Sequence, residues 1–554
     1  MSRPSTRPSS AYPSRSGTPS LRDVVHGVMK IFHHEKESEA HQIFRQQAGH
    51  QPKGLNFLPQ TINPEEETVP GIEHPGSTGV IYCSDRAIAN GFSYASSHDW
   101  ANLGQGAPEV GPIPNAPPRP DSIPMPVDSL EYAPTTGVKA LREAVANLYN
   151  DNYRKGKASQ YTYENVCIVP GGRAGLSRVA AVVGDVYCVC VVSLVPSNTT
   201  IFSLVQCLAN QTPIQSYQIP DYTAYDQVLS AFKRLVPVPT ACIGSQGASS
   251  SIKCNLELAE RTPLDRTNTV LISNKPGFKD IRTQGLSVVI ASNPRNPTGQ
   301  VIAGKELKEL VSLSRESTTI ILDEFYSWYI YPDSDKDIGK SISSAEYVED
   351  VNSDAVVIID GLTKNWRLPG WRVCWVIGPK NLVTALSQSG SFLDGGANHP
   401  MQLAAISLLE PGRVKEEKMA LQRHFKTKRD HVLKRLHALH LDVDVPPQAT
   451  FYIWLNLEKL PPPLNNGLTF FEELLKEQTI VIPGIFFDIN PAHRRNLFNS
   501  PCHHYVRLSF GPPMEDLDKG IDAIGRVVAA ARQGGTKKMG HSYKKSLESS
   551  PDHI

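Results

Sequence analysis

An excess of charge of either sign is missing from this 554-residue chain: 56 Lys and Arg stand against 55 Asp and Glu, a formal net charge of +1. So even a balance offers no electrostatic footing for nucleic acid or an anionic membrane, and leaves small molecules or protein as the expected partners. Long apolar runs are missing too. The longest, Val179 to Val195, is broken by Gly184 and Asp185 and falls short of the ~20 uninterrupted residues a membrane helix needs. A cysteine framework is equally absent. The nine cysteines are odd in number and scattered, and Cys167, Cys188, Cys190 and Cys374 sit inside apolar stretches, as reduced core thiols of a reducing compartment do. Cys502-His503-His504 lacks a second ligand pair at metal-binding spacing, so no metal is expected. What is present, 40% hydrophobic and 20% charged residues, describes an ordinary globular chain long enough for two or three folding units.

The ends and connectors come next. Residues 1–20 are rich in Ser, Pro and Arg, and Pro4, Pro8, Pro13 and Pro19 prevent the amphipathic helix of a transit peptide, so this stretch reads as a disordered tail. The expected setting is therefore cytoplasmic, with a mitochondrial address as the alternative. Val24, Val25, Val28, Ile31 and Phe32 form a helical stripe in an N-terminal arm spanning 21–100. Pro-rich sequence from Pro108 to Pro126 must cross the surface as an extended connector, and just before it Gly104 and Gly106 let backbone approach a ligand closely. A patternless segment at 241–282 reads as an insertion, and 534–554 as a second polar, disordered tail.

Between these lies an alternation of strands and helices. VCIV (Val166 to Val169) precedes Gly171-Gly172-Arg173 and a helical pattern, a turn that aims free backbone N–H groups at an anion. SVVIAS closes on Asn293-Pro-Arg-Asn-Pro-Thr-Gly299, Thr319 to Leu322 runs into Asp323-Glu-Phe-Tyr326, and AVVII (Ala355 to Ile359) leads to GLTKNWRLPGWRVCWVIG (Gly361 to Gly378). The expected fold is thus α/β: a three-layer large domain at 135–390 with a mainly parallel sheet, and a smaller α+β domain from 101–134 and 391–533. Lys364 and Arg372 leave this sheet where open α/β folds keep their ligand crevices, and Trp371 and Trp375 should partly desolvate the arginine. A lysine and an arginine so placed suit a phosphorylated carbonyl compound. Taken singly, Lys364 reads as a solvated lysine, Asp323 as a helix cap, Asn296 as a turn residue and Tyr326 as a core-edge aromatic. Four such features along one strand edge make a site.

In order and wording, NPRNPTG, LDEFY, TKNWRLPGWR and YVRLSFG resemble the class I/II pyridoxal-phosphate-dependent aminotransferases of the aspartate-aminotransferase fold type, over roughly residues 100 to 530. The resemblance implies pyridoxal 5'-phosphate as cofactor, with Lys364 as its Schiff-base lysine and proton carrier, Asp323 paired to the pyridine nitrogen, and Tyr326 and Asn296 on the ring oxygen. It assigns the phosphate to Arg372, Gly172, Arg173 and Tyr132 of a second subunit, and the substrate carboxylate to Arg507, with Gly106 and Asn296 nearby. A homodimer is implied with it. The chain also departs from the family. Gly361 stands where many members carry a phosphate-binding serine, leaving Thr363 as the substitute; Pro196 to Thr200 replaces the ring-stacking aromatic, with Phe202 nearest; and no arginine near Asn398 suits a second carboxylate.

The expected activity is amino transfer between an amino acid, aromatic or otherwise apolar, and a 2-oxo acid. Trp366 and Trp371 are reminiscent of the aromatic-amino-acid members. Two rivals share the scaffold: a carbon–sulfur lyase or aminocyclopropane-carboxylate-synthase-like enzyme, and a non-catalytic binding protein that kept the fold.

Overall fold

The computed structural model describes residues 38–47, 79–183, 214–218, 220–225, 228, 236–240, 288–316, 318–489 and 500–545. The tail at 1–20, the stripe from Val24 to Phe32, Cys188, Cys190, Phe202 and the insertion at 241–282 lie outside them.

Chain order runs α1 (Glu39–Gln47), α2 (Gly79–Ala89), β1 (Ala101–Asn102), α3 (Lys139–Tyr153), β2 (Val166–Val169), α4 (Gly172–Val182), β3 (Ile214–Gln218) and β4 (Val236–Thr240). It continues through β5 (Val288–Ser292), α5 (Gly304–Ser312), β6 (Thr319–Asp323), β7 (Val356–Gly361), β8 (Cys374–Ile377) and α6 (Lys380–Leu393). The C-terminal part holds α7 (His399–Ile406), α8 (Pro411–Ala438), β9 (Tyr452–Asn456), α9 (Gly467–Lys476), β10 (Thr479–Ile480), β11 (Ile482–Pro483), β12 (Tyr505–Ser509) and α10 (Met514–Lys545). None of the described helices is long and apolar enough to cross a membrane.

Seven strands form one sheet in the order β2-β8-β7-β6-β5-β3-β4, with β8 antiparallel to both neighbours and the remaining pairings parallel. Every residue of β5 and β7 is buried, which is why these strands read as unbroken β-branched runs rather than alternating ones. Helix α4 covers β7 and β8 on one face and packs on α6. The mainly parallel α/β sheet expected from sequence is therefore present. A separate antiparallel sheet, β11-β12-β9, carries the C-terminal strands, and β1 pairs with β10.

Three expectations change. Strands β3 and β4 precede the segment read as an insertion at 241–282, and neither was expected from sequence patterning. β3 is polar, and β4 carries Pro237 and Pro239, which only an edge strand tolerates, so neither has the apolar signature of a central strand. A second arm helix, α2, which the sequence reading did not single out, buries Tyr82, Cys83 and Ala87. At the other end α10 extends to Lys545, past the 534 boundary given to the tail, because a packed helix adds one hydrogen bond per residue as it propagates.

Candidate active site

Four parallel-sheet ends and one strand of the smaller sheet converge. The turn after β7 carries Lys364, which is half-buried, with its amine donating to the Gly106 carbonyl oxygen. Loss of water, reinforced by the Arg507 charge and only partly offset by Asp323, pushes this amine down to about 7. It is thus an amine that can be neutral near physiological pH. The turn itself is anchored from below. Buried Asp360 accepts the Gly361 amide at 2.7 Å and the Asn365 side-chain amide at 3.1 and 3.2 Å, so both shoulders of Lys364 hang on one carboxylate.

Asp323 ends β6, buried, and accepts a hydrogen bond from the Tyr225 hydroxyl at 3.1 Å. Burial pushes its carboxyl up to about 6. Such a carboxylate gains from any cationic N–H brought to it. Tyr326, on the same loop, is buried with its hydroxyl 2.9 Å from that of Tyr452.

Arg507 comes from β12, paired with Ile482 of β11 on one side and Trp454 of β9 on the other. It is buried, donates to Asn296 Oδ1 at 3.0 Å and to the Gly104 carbonyl at 2.8 Å, and lies over the rings of Tyr452 and Phe487 at 4.1 and 4.9 Å. Its Nε has no hydrogen-bond partner among the described residues. A buried guanidinium with a spare donor is poised for a carboxylate.

The anion cradle lies at the start of α4. Its cap residue Gly171 has φ 109° and offers no side chain, so among the described residues no side-chain cap occupies the first-turn N–H groups. Arg372, itself left-handed at φ 57°, lays its guanidinium so close that any side chain at 171 would collide with it. Gly172 is likewise tight, since a Cβ there would come within 2.6 Å of the Phe325 ring. Arg372 is exposed, not desolvated as the flanking tryptophans suggested: Trp375 is fully buried in the core while the arginine turns outward to the Pro369 carbonyl at 3.0 Å. Arg173 is also exposed and donates to the Tyr222 hydroxyl at 3.3 Å.

Two expected participants stand apart. Tyr132 is 94% exposed. Trp366 is a core residue, packed 4.1 Å from Trp328 and donating to the Leu408 carbonyl, so it gives no hint of substrate; Trp371 packs half-buried against the same core. Gly361 has a steric cause. A Cβ there would meet Cys374 Cα at 2.5 Å and Sγ at 2.6 Å, because the two face each other across β7 and β8. No serine fits, and the available hydroxyl is Thr363, whose Oγ1 lies 3.2 Å from Cys374 Sγ. Gly361→Ala should accordingly cost roughly 1–3 kcal/mol, read as a lower urea midpoint, because the strand pair must separate.

One segment escaped sequence reading entirely. Asp221 accepts hydrogen bonds from Ser292 Oγ and the Tyr222 amide, Tyr222 meets Arg173, and Tyr225 meets Asp323. Burial raises the Asp221 carboxyl to about 7. Pro220 followed by an acid and two tyrosines three apart was the available signal, but the surrounding patternless sequence hid it.

These residues fit pyridoxal phosphate on their own chemistry: a free helix N-terminus under a guanidinium for the phosphate, a buried carboxyl for a pyridinium, and a lysine poised to be neutral.

Comparison with known proteins agrees. Residues 275–524 match the family model for aminotransferase class I and II. Among curated relatives, the probable N-acetyl-LL-diaminopimelate aminotransferase of Bacillus subtilis is 26% identical over 261 residues, covering 46% of this chain and 59% of the relative. The glutamate-pyruvate aminotransferase AlaC of Escherichia coli is 30% identical over 213 residues, 38% of this chain and 48% of its own. The chain thus spans about half the length of the curated relatives it matches. Among solved structures, a Thermus thermophilus aspartate aminotransferase mutant superposes with TM-score 0.57 at 19% identity, covering 83% of this chain and all of its own. The Thermotoga maritima aspartate aminotransferase gives 0.56 at 19% identity with the same coverage of each chain. The fold is that of these enzymes, and residues 275–524 are similar to the aminotransferase class I and II family.

Proposed function

We propose that this chain is a pyridoxal-phosphate-dependent aminotransferase that moves an amino group between an amino acid and a 2-oxo acid. The observation that carries it is the Lys364 amine, held near neutrality between Arg507 and Asp323 at a sheet edge beside the free N-terminus of α4. Bound there, the cofactor would supply an electron sink for the electron pair left at the substrate Cα.

The chain's own groups would do the rest. Lys364 would hold the cofactor through its amine and, once displaced by substrate, carry a proton to and from the reacting carbon. Asp323 would keep the ring nitrogen protonated, and Tyr326 and Asn296 would hydrogen-bond the ring oxygen. Arg372, Thr363 and the Gly172 and Arg173 amides would hold the phosphate. Arg507 would orient the substrate carboxylate.

An aromatic or apolar amino donor suits the Tyr452 and Phe487 rings around Arg507, and the sequence near Asn398 offers no arginine for a second carboxylate; Asn398 itself caps α7 through the Met401 amide at 3.0 Å. A homodimer accounts for the exposed strip of Val127 (79%), Leu130 (68%) and Tyr132, an apolar surface that water disfavours, and would let Tyr132 reach a partner's phosphate site. The names of the matched relatives favour transfer over elimination.

The test incubates the full chain with pyridoxal phosphate, records a borohydride-sensitive visible band, and scores an amino-acid panel for oxo acid and ammonia. Oxo acid formed only with an amino acceptor supports the proposal. Ammonia or thiol released without acceptor means a lyase, and no band means a binding protein.

A further inference from the structure

Two buried groups with different duties meet at one side chain. Tyr452, in β9, is fully buried; its ring faces the Arg507 guanidinium at 4.1 Å, while its hydroxyl sits 2.9 Å from that of Tyr326. Gly106 closes the other side, since a Cβ there would lie 3.7 Å from the Tyr452 oxygen. Among the described residues, the recorded hydrogen bond of the Tyr452 hydroxyl is the one with Tyr326. Each phenol owns a single hydrogen. If Tyr326 points its hydrogen at a ligand oxygen, only Tyr452 can supply the hydrogen between the two phenols, and the chain then runs in one direction.

Resting on the function proposed above, we infer that Tyr452 is a positioning residue with two separable duties: its hydroxyl orients the Tyr326 proton toward the cofactor's ring oxygen, and its ring supports Arg507 in carboxylate binding. The duties can be separated by chemistry. Phenylalanine keeps the ring and removes the hydroxyl, whereas leucine removes both. Donation from Tyr452 strengthens Tyr326 as a donor, and a stronger donor stabilises the anionic ring oxygen, so its loss makes the bound cofactor harder to deprotonate.

The experiment compares wild type, Tyr452→Phe and Tyr452→Leu by two readouts. In the loaded protein, the pH at which the visible band changes should rise by roughly half to one unit in both variants, the size of shift that one charge-stabilising hydrogen bond gives. In the cofactor-free chain, calorimetry with phenylpyruvate as an apolar 2-oxo acid should show Tyr452→Phe within about twofold of wild type and Tyr452→Leu about tenfold weaker, the scale of a desolvated cation–π contact. A Tyr452→Phe band that titrates with wild type overturns the hydroxyl's duty. Equal affinity losses in the two variants overturn the ring's. A wild type with no visible band refutes the proposed function, while the calorimetric arm still judges Tyr452, and a wild type that binds neither cofactor nor oxo acid overturns both.

Discussion

Lys364→Ala should lose the borohydride-sensitive visible band and reduce transamination by at least ~10⁴-fold, the upper range of what one positioned proton carrier contributes, and more if covalent attachment fails as well. Lys364→Arg should be equally inactive, since a guanidinium keeps the charge but is never neutral. That pairing separates nucleophile from cation. The same side chain sets a pH dependence. Its amine is protonated below about 7 and neutral above, so the rate of cofactor uptake by the cofactor-free wild type should climb as pH rises through 7 and level off beyond it. Stopped-flow absorbance reads this directly. A flat rate between about pH 6 and about pH 8, values bracketing that midpoint by roughly a unit each way, would count against the depressed amine.

Arg507→Ala should raise KM for the amino donor by roughly 10² to 10³, the equivalent of about 3–4 kcal/mol for losing a buried, hydrogen-bonded charge partner. Three groups lose their donor at once: the substrate carboxylate, Asn296 Oδ1 and the Gly104 carbonyl. Arg507→Lys should recover little of this, because an ammonium cannot reproduce a fork that already serves two protein acceptors and holds Nε in reserve. The substitution also reaches Lys364. After lost hydration, the Arg507 charge is the largest contribution lowering that amine, so removing it should return the amine toward its ordinary range. The midpoint of cofactor uptake in Arg507→Ala should then move to higher pH, whereas a role confined to substrate binding would leave it in place.

The central strands and the four motifs at their ends were legible without coordinates, because burial on both faces writes a strand as a continuous apolar run and polar residues that interrupt such runs stand out. Lys364, Asp323, Asn296 and Arg507 all belong to this class. Signals failed where a strand lay at the sheet edge with prolines, as in β4, or where function sat in polar sequence without periodicity, as in 220–225.

What the sequence by itself determined is the chemistry available and its order along the chain: a lysine, an aspartate and two arginines at strand ends, with glycines before a helix. Only the tertiary structure decided which partners each would meet. It turned Arg372 outward over Gly171, sent Trp366 into the core, closed β7 against β8 so that position 361 must be glycine, and put Tyr452 beneath both Arg507 and Tyr326. These outcomes depend on register and on contacts between residues far apart in sequence, which local patterns do not encode.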